Sequence, residues 1–167
     1  MTTADMARRV LDAGQGWAVA VGSPRWVAEA RCALPSHGLP VAPLTARLLA
    51  ALPDAAALAA EHDADPGSDG VRAALAAAFE RVHADLTTIR AVAITDLELA
   101  LAERLPVERL TEGNGGILFL LPGTRRGGKL RLFAGAGLPG CAPVPGVPAP
   151  AWMDGAEHVW EVRGDAA

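Results

Sequence analysis

Residues 115–137 read GGILFLLPGTRRGGKLRLFAGAG: apolar, then basic and glycine-rich, then apolar again. Two local structures compete for this segment. A phosphate-binding loop needs a glycine-rich turn between a strand and a helix, closing on Lys and then Ser or Thr. Here Lys129 is followed by Leu130, and the residues beyond alternate as a strand does. The helix N-terminus whose free N–H groups would hold a phosphate is missing from that pattern. The segment therefore reads as a β-hairpin. Strands over 116–121 and 129–134 are joined across GTRRG, with Arg125 and Arg126 exposed at the tip.

Upstream, TTIRAVAIT (87–95) alternates, is rich in β-branched residues and predicts a strand, centred on 89–94. DLELALAERL (96–105) predicts a helix with Asp96 as N-cap and Pro106 as terminator. VRAALAAAFERVHADL (71–86) carries Val71, Leu75, Phe79, Val82 and Leu86 on one helical stripe. DADPGSDG (63–70) reads as a polar turn. LTARLLAALPDAAALAAEH reads as helix interrupted at Pro53, with Asp54 able to cap the second piece. PSHGLPVAP (35–43) reads as a loop with a brief extended piece. GSPRWVAEARCAL is a turn and helix, with Ser23 as cap and Pro24 in the first turn. WAVAV (17–21) is a strand, and TADMARRVLDA (3–13) a helix stopped by Gly14 and Gly16.

Downstream of Gly137, Pro139, Pro143, Pro145, Pro148 and Pro150 predict an irregular connector, and AEHVWEVRG (156–164) a last short strand. The whole is an α/β chain: a mixed sheet over 17–21, 89–94, 116–121 and 129–134, flanking helices, and a C-terminal antiparallel hairpin. Residues 1–140 form the expected single domain. Residues 141–167 form a Pro-rich connector and terminal strand packed on it.

Composition bounds the functions open to the chain. Its 167 residues suffice for one self-supporting core. Apolar residues make up 51%, too many for a disordered chain, yet only 4% are aromatic and much of the rest is alanine, which predicts a modest core. Arginine supplies fourteen of the fifteen basic residues, a bias of GC-rich coding before it is one of function. A net charge of -4 argues against a nucleic-acid binder or a binder of anionic membranes. Between Glu112 and Asp154, however, there is no acidic residue, and the only charges are Arg125, Arg126, Lys129 and Arg131. Cys32 and Cys141 have no metal-ligand spacing and cannot form a disulfide framework, so a reduced, cytoplasmic setting is expected. Neither a secretory leader nor a membrane span is read in the sequence.

No catalytic constellation stands out. In VGSPRW a serine lies between strand and helix, but a nucleophile elbow needs Gly-x-Ser-x-Gly, and Arg25 and Trp26 do not fit it. Ser23 reads as a helix cap, with an anion at that helix N-terminus as the remaining option. His62 with Asp63, Asp65 and Asp69 is the best metal candidate, yet the spacing matches neither a zinc motif nor a calcium loop. His83, between Arg81 and Asp85, is expected on a polar helix face. Asp96, Glu98 and Glu103 read as a charged helix face rather than as acid–base partners. No catalytic residue, metal ligand or cofactor is therefore assigned. The candidate contacts for an anion or a partner are Arg125, Arg126, Lys129, Arg131 and Ser23.

Four pieces in order, ARRVLDAG, APLTARLLAALPD, AVAITD and GGILFLL…GGKLRLFAGAGL, resemble the H subunit of the bacterial carbon–phosphorus lyase core complex of phosphonate metabolism. The resemblance covers roughly residues 7–140. In that family an apolar strand leads across a polar turn to a strand end of LRL followed by G-x-G, the places held here by Leu130, Arg131, Leu132, Gly135, Gly137 and Leu138. The chain departs from the family after the Leu-Asp helix, where AAALAAEH stands in place of aromatic and threonine-rich segments. It departs again at the C-terminus, where the Phe-Pro-Leu-Gly strand and Pro-Arg-Thr-Thr end are replaced, so a divergent, C-terminally short relative is implied. The resemblance implies a fold similar to the large domain of pyridoxal-phosphate transferases, without that cofactor. It also implies a non-catalytic structural subunit whose partners are the other carbon–phosphorus lyase subunits, in a homo- or hetero-oligomer. The alternative from another class is a small α/β module that binds a phosphorylated or nucleotide ligand.

Overall fold

The computed structural model describes residues 1–65, 67–113, 115–134, 144–154 and 159–162. Helices α1 (Thr3–Ala13), α2 (Pro24–Ala33), α3 (Leu44–Ala51), α4 (Ala55–Ala64), α5 (Asp69–Thr87) and α6 (Glu98–Ala102) interleave with the first four strands. The strands are β1 (Gly16–Gly22), β2 (Val41–Pro43), β3 (Ala91–Thr95), β4 (Gly116–Arg126), β5 (Lys129–Ala134), β6 (Val144–Pro148) and β7 (Val159–Glu161). Strands β2, β3, β4, β1 and β7 lie side by side in that order, all parallel. The distal half of β4 pairs antiparallel with β5, and β5 with β6. The protein is thus α/β, with a mostly parallel mixed sheet and helices on both faces.

The strands are read so easily because both of their faces are covered. A parallel strand buried on two sides is a near-continuous apolar run rather than an alternation. Val19, Val21, Val92, Ile94, Ile117, Phe119 and Leu121 face the layer built from α3, α5 and α6. Ala18, Ala20, Ala91, Ala93, Leu118 and Leu120 face α1, α2 and the 3-10 turn Leu34–His37. One sheet face is therefore bulky and the other largely alanine, which lets α1 lie close. At Gly116 a Cβ would come within 2.6 Å of the Val10 carbonyl oxygen, so only glycine fits there. On the bulky side Trp152 packs edge-on to both Trp17 and Phe119, with centroids 5.3 and 5.4 Å away, while Trp26 and Trp160 pack on the alanine side.

Helix starts follow the local chemistry. The Thr2 hydroxyl accepts from the Asp5 N–H and the Asp5 carboxylate accepts from the Thr2 N–H, a reciprocal cap on α1. Ser23 and Asp54 accept from Trp26 and Ala57 N–H groups at the starts of α2 and α4. Ser68 caps α5, which begins two residues before the expected 71.

Five expectations need correction. Asp96 caps nothing. It adopts a left-handed backbone conformation with φ 56°, and α6 starts only at Glu98 and spans five residues rather than ten. The reason is that the chain turns sharply on leaving β3: the Asp96 carbonyl accepts from both the Thr45 N–H (3.0 Å) and the Thr45 hydroxyl (2.6 Å). His83 is half-buried rather than out on a polar face. It stacks on Phe79 and its Nε2 lies 3.0 Å from the Arg109 carbonyl oxygen. Thr87 and Thr88 close α5 instead of opening a strand, each hydroxyl bonded three residues back. The bend between β4 and β5 is two residues, Gly127 and Gly128, so Arg125 and Arg126 belong to β4 and not to the loop. Finally, part of the proline-rich stretch is not an irregular connector, since Val144–Pro148 pairs with β5. Gly135, Gly137, Leu138, Pro139, Cys141 and Pro143 lie outside the described residues, as do 156–158 and 163–164 of the expected last strand.

Candidate functional site

The basic residues sit on an arm. β4 starts as a central parallel strand, with Gly16–Gly22 level with Gly116–Pro122, and beyond Pro122 it leaves β1 behind. From Gly123 to Arg126 its partner is β5: Gly123 faces Leu132, Thr124 faces Arg131, Arg125 faces Leu130 and Arg126 faces Lys129. Gly127 and Gly128 have φ of +57° and +80°. Two successive left-handed residues make the turn whose twist suits a two-residue hairpin, and glycine supplies them without strain.

Opposed residues share a face of a ribbon, and neighbours along a strand alternate between faces. One face therefore carries Gly123, Arg125, Leu130 and Leu132. Leu130 and Leu132 are buried, and the Leu130 N–H donates to the Asp154 carboxylate at 2.7 Å. Arg125 is half-buried; its backbone N–H donates to Glu161 Oε1 at 3.3 Å and its Nε–H to the Gly128 carbonyl at 3.4 Å. The other face carries Thr124, Arg126, Lys129 and Arg131. The three cations are exposed, and Arg126 and Lys129 stand directly opposite one another. Like charges directly opposed across two strands destabilise the pairing.

The structure thus divides the basic residues predicted as contacts. Arg126, Lys129 and Arg131 come together on one face, while Arg125 turns to the other and is held by the fold. Ser23 stands apart as the cap of α2: its Oγ accepts from the Trp26 N–H at 3.1 Å.

Reasoning from sequence missed a polar group at the carboxyl end of the parallel strands. Thr95, the last residue of β3, is fully buried and its hydroxyl has no hydrogen-bond partner among the described residues. Asp96 accepts from Arg31 of α2 at 3.0 Å. The Glu98 carboxyl is raised above its ordinary range, mainly by desolvation and further by the charge of Asp96, against a backbone hydrogen bond that lowers it. A strand ending in Thr-Asp was the available signal, but the partner 65 residues away was not legible.

Among the described residues, no group of three or more His, Cys, Asp or Glu is placed to share a metal ion. No described helix is long and apolar enough to cross a membrane. Comparison with protein-family models, with curated proteins and with solved structures finds no match for this chain.

Proposed function

We propose that the protein is a docking subunit without catalytic chemistry of its own, and that the outer face of the β4–β5 arm is where it meets an acidic partner. The observation that carries this reading is the opposed pair Arg126 and Lys129 with Arg131 beside them. A ribbon that holds like charges face to face gives up stability, and an acidic surface laid across them returns it. The central sheet supplies the rigid base, because β4 runs from the middle of the core out into the arm.

The order of short motifs described above supports one class of assembly: an H-type subunit of a carbon–phosphorus lyase complex, working beside the subunits that process phosphonates. A parallel sheet covered on both faces is compatible with this reading, which implies a fold similar to the large domain of pyridoxal-phosphate transferases but without their cofactor. The second reading uses the same three cations, which match the charge of a phosphoryl group as readily as that of a carboxylate patch.

Co-expression with the other subunits of such a complex separates the two. The docking reading expects co-purification of the wild type and its loss in an Arg126→Glu/Lys129→Glu variant that keeps its circular dichroism spectrum. Failure of the wild type to co-purify, together with saturable binding of AMP or inorganic phosphate that the double variant loses, would replace docking by ligand binding.

A further inference from the structure

A cavity of about 170 Å³ lies between α3, α4, α5 and α6. Its apolar lining includes Leu52, Leu75 and Leu99, with Leu58 contributed by α4. His62 and Glu103, both half-buried, are the two polar residues at its wall. Neither side chain makes a hydrogen bond or ion pair with another described residue.

Helix α4 explains why the space exists. Its sequence is AAALAAEHDA, and none of its ten residues is buried. Alanine favours the helix intrinsically but brings almost no side-chain volume to fill what lies beneath it. Pro53 and the Asp54 cap separate it from α3, and Asp65 ends it. Next to it, Leu49 is 45% exposed, one of only two large apolar side chains so exposed among the described residues. A helix that reaches into an apolar space mainly through Leu58 leaves bulky neighbours in contact with water, and burying them is favourable.

We infer that this cavity is a binding site for a small amphipathic amine: a compact apolar body seated among the leucines, with an ammonium group at Glu103. The volume is of the right order, since an apolar cavity of about 150 Å³ in another protein accepts benzene. The charge is also determined. Glu103 is a carboxylate acceptor, and a cationic donor satisfies it where a carboxylate ligand would be repelled. His62 is the other polar residue at the wall. A phosphorylated or acidic ligand does not suit this site, which distinguishes it from the cationic arm.

The experiment uses three probes of one shape, benzylamine, benzyl alcohol and benzoate, titrated into the full chain and followed by amide chemical shifts. Benzylamine is expected to give saturable shifts on α4, α5 and α6, at least about fivefold tighter than benzyl alcohol, with benzoate producing none. Glu103→Gln is expected to bring benzylamine to the level of benzyl alcohol while leaving the alcohol unchanged. Ala59→Trp, at an exposed position on the cavity rim, is expected to exclude all three without altering the circular dichroism spectrum. No saturable shift with benzylamine, or equal binding of amine and benzoate, overturns the inference. So does sedimentation showing a dimer that Ala59→Trp dissociates, because the cavity would then be covered by a second copy of the chain.

Discussion

Arg31 of α2 donates to the Asp96 carboxylate at 3.0 Å, tying the helix layer on the alanine face of the sheet to the loop that leaves β3 for the other face. The pair is part-exposed, at 46% and 32% of side-chain surface, so its own contribution is small, about 0–1 kcal/mol. What makes the position demanding is its backbone, held at φ 56°. Asn tolerates that conformation and Ala does less well, while a β-branched side chain is a genuine outlier there. Urea denaturation is expected to rank Asp96→Asn as mildest, at most about 1 kcal/mol, with Asp96→Ala next and Asp96→Val costing at least about a further 1 kcal/mol. Equal losses for all three would mean that the ion pair matters and the backbone does not.

Arg126 and Lys129 provide a prediction with two readouts of opposite sign. Lys129→Glu replaces a like-charge opposition with an opposite-charge pair and is expected to stabilise the isolated protein by about 0.2–1 kcal/mol. The same change removes one cation and adds an anion on the outer face of the arm, so association with an acidic partner should slow and lose part of its salt dependence. Thermal melting of the free chain and stopped-flow association at two salt concentrations measure the two effects. A destabilised free chain would show that Lys129 is held by the fold.

Glu98 sets a pH dependence. Its folded-state value is raised above the ordinary 4.5, with desolvation as the largest cause. The folded state therefore holds the proton more tightly than the unfolded chain, and stability falls as pH rises from 4.5 through the raised value. The residue as a whole is exposed, so solvent screens part of the effect and the slope should be shallow. Glu98→Gln is expected to remove that decline and to gain on the wild type at pH 7 relative to pH 4. Parallel urea midpoints across that range that keep a constant separation would remove Glu98 as the titrating group.

Gly116 tests the closeness of α1 to the sheet. A Cβ at this position meets the Val10 carbonyl oxygen at 2.6 Å, and backbone cannot step aside as a side chain can. Gly116→Ala is expected to cost about 1–3 kcal/mol, the range for overpacking, seen as a lower urea midpoint with unchanged slope. Gly127→Ala meets no neighbour and suffers only from its left-handed backbone, so its loss should be the smaller, about 1–2 kcal/mol. A Gly116→Ala variant as stable as wild type would mean that α1 can move off the sheet.

Local chemistry in the sequence determined the elements themselves. Val19, Val21, Phe119 and Leu120 mark strands because a parallel strand covered on both faces has no polar side to show. Thr2, Ser23 and Asp54 mark helix starts because each supplies an acceptor to an orphan N–H within three residues. The strands of the arm were legible, since Leu130 and Leu132 alternate with charge, but the turn was read as GTRRG and not as Gly127–Gly128. Only the tertiary structure decided how these pieces meet. The two-residue bend, by setting Arg126 opposite Lys129, gathered three cations on one face and sent Arg125 to the other. Asp96 became a turn residue rather than a cap because Thr45 and Arg31, distant in sequence, hold the loop it occupies. Val144–Pro148 became a strand because β5 offered it an edge, which proline-rich composition cannot reveal. Each of these outcomes depends on a pairing between distant segments, and its free energy appears only once both partners are in place.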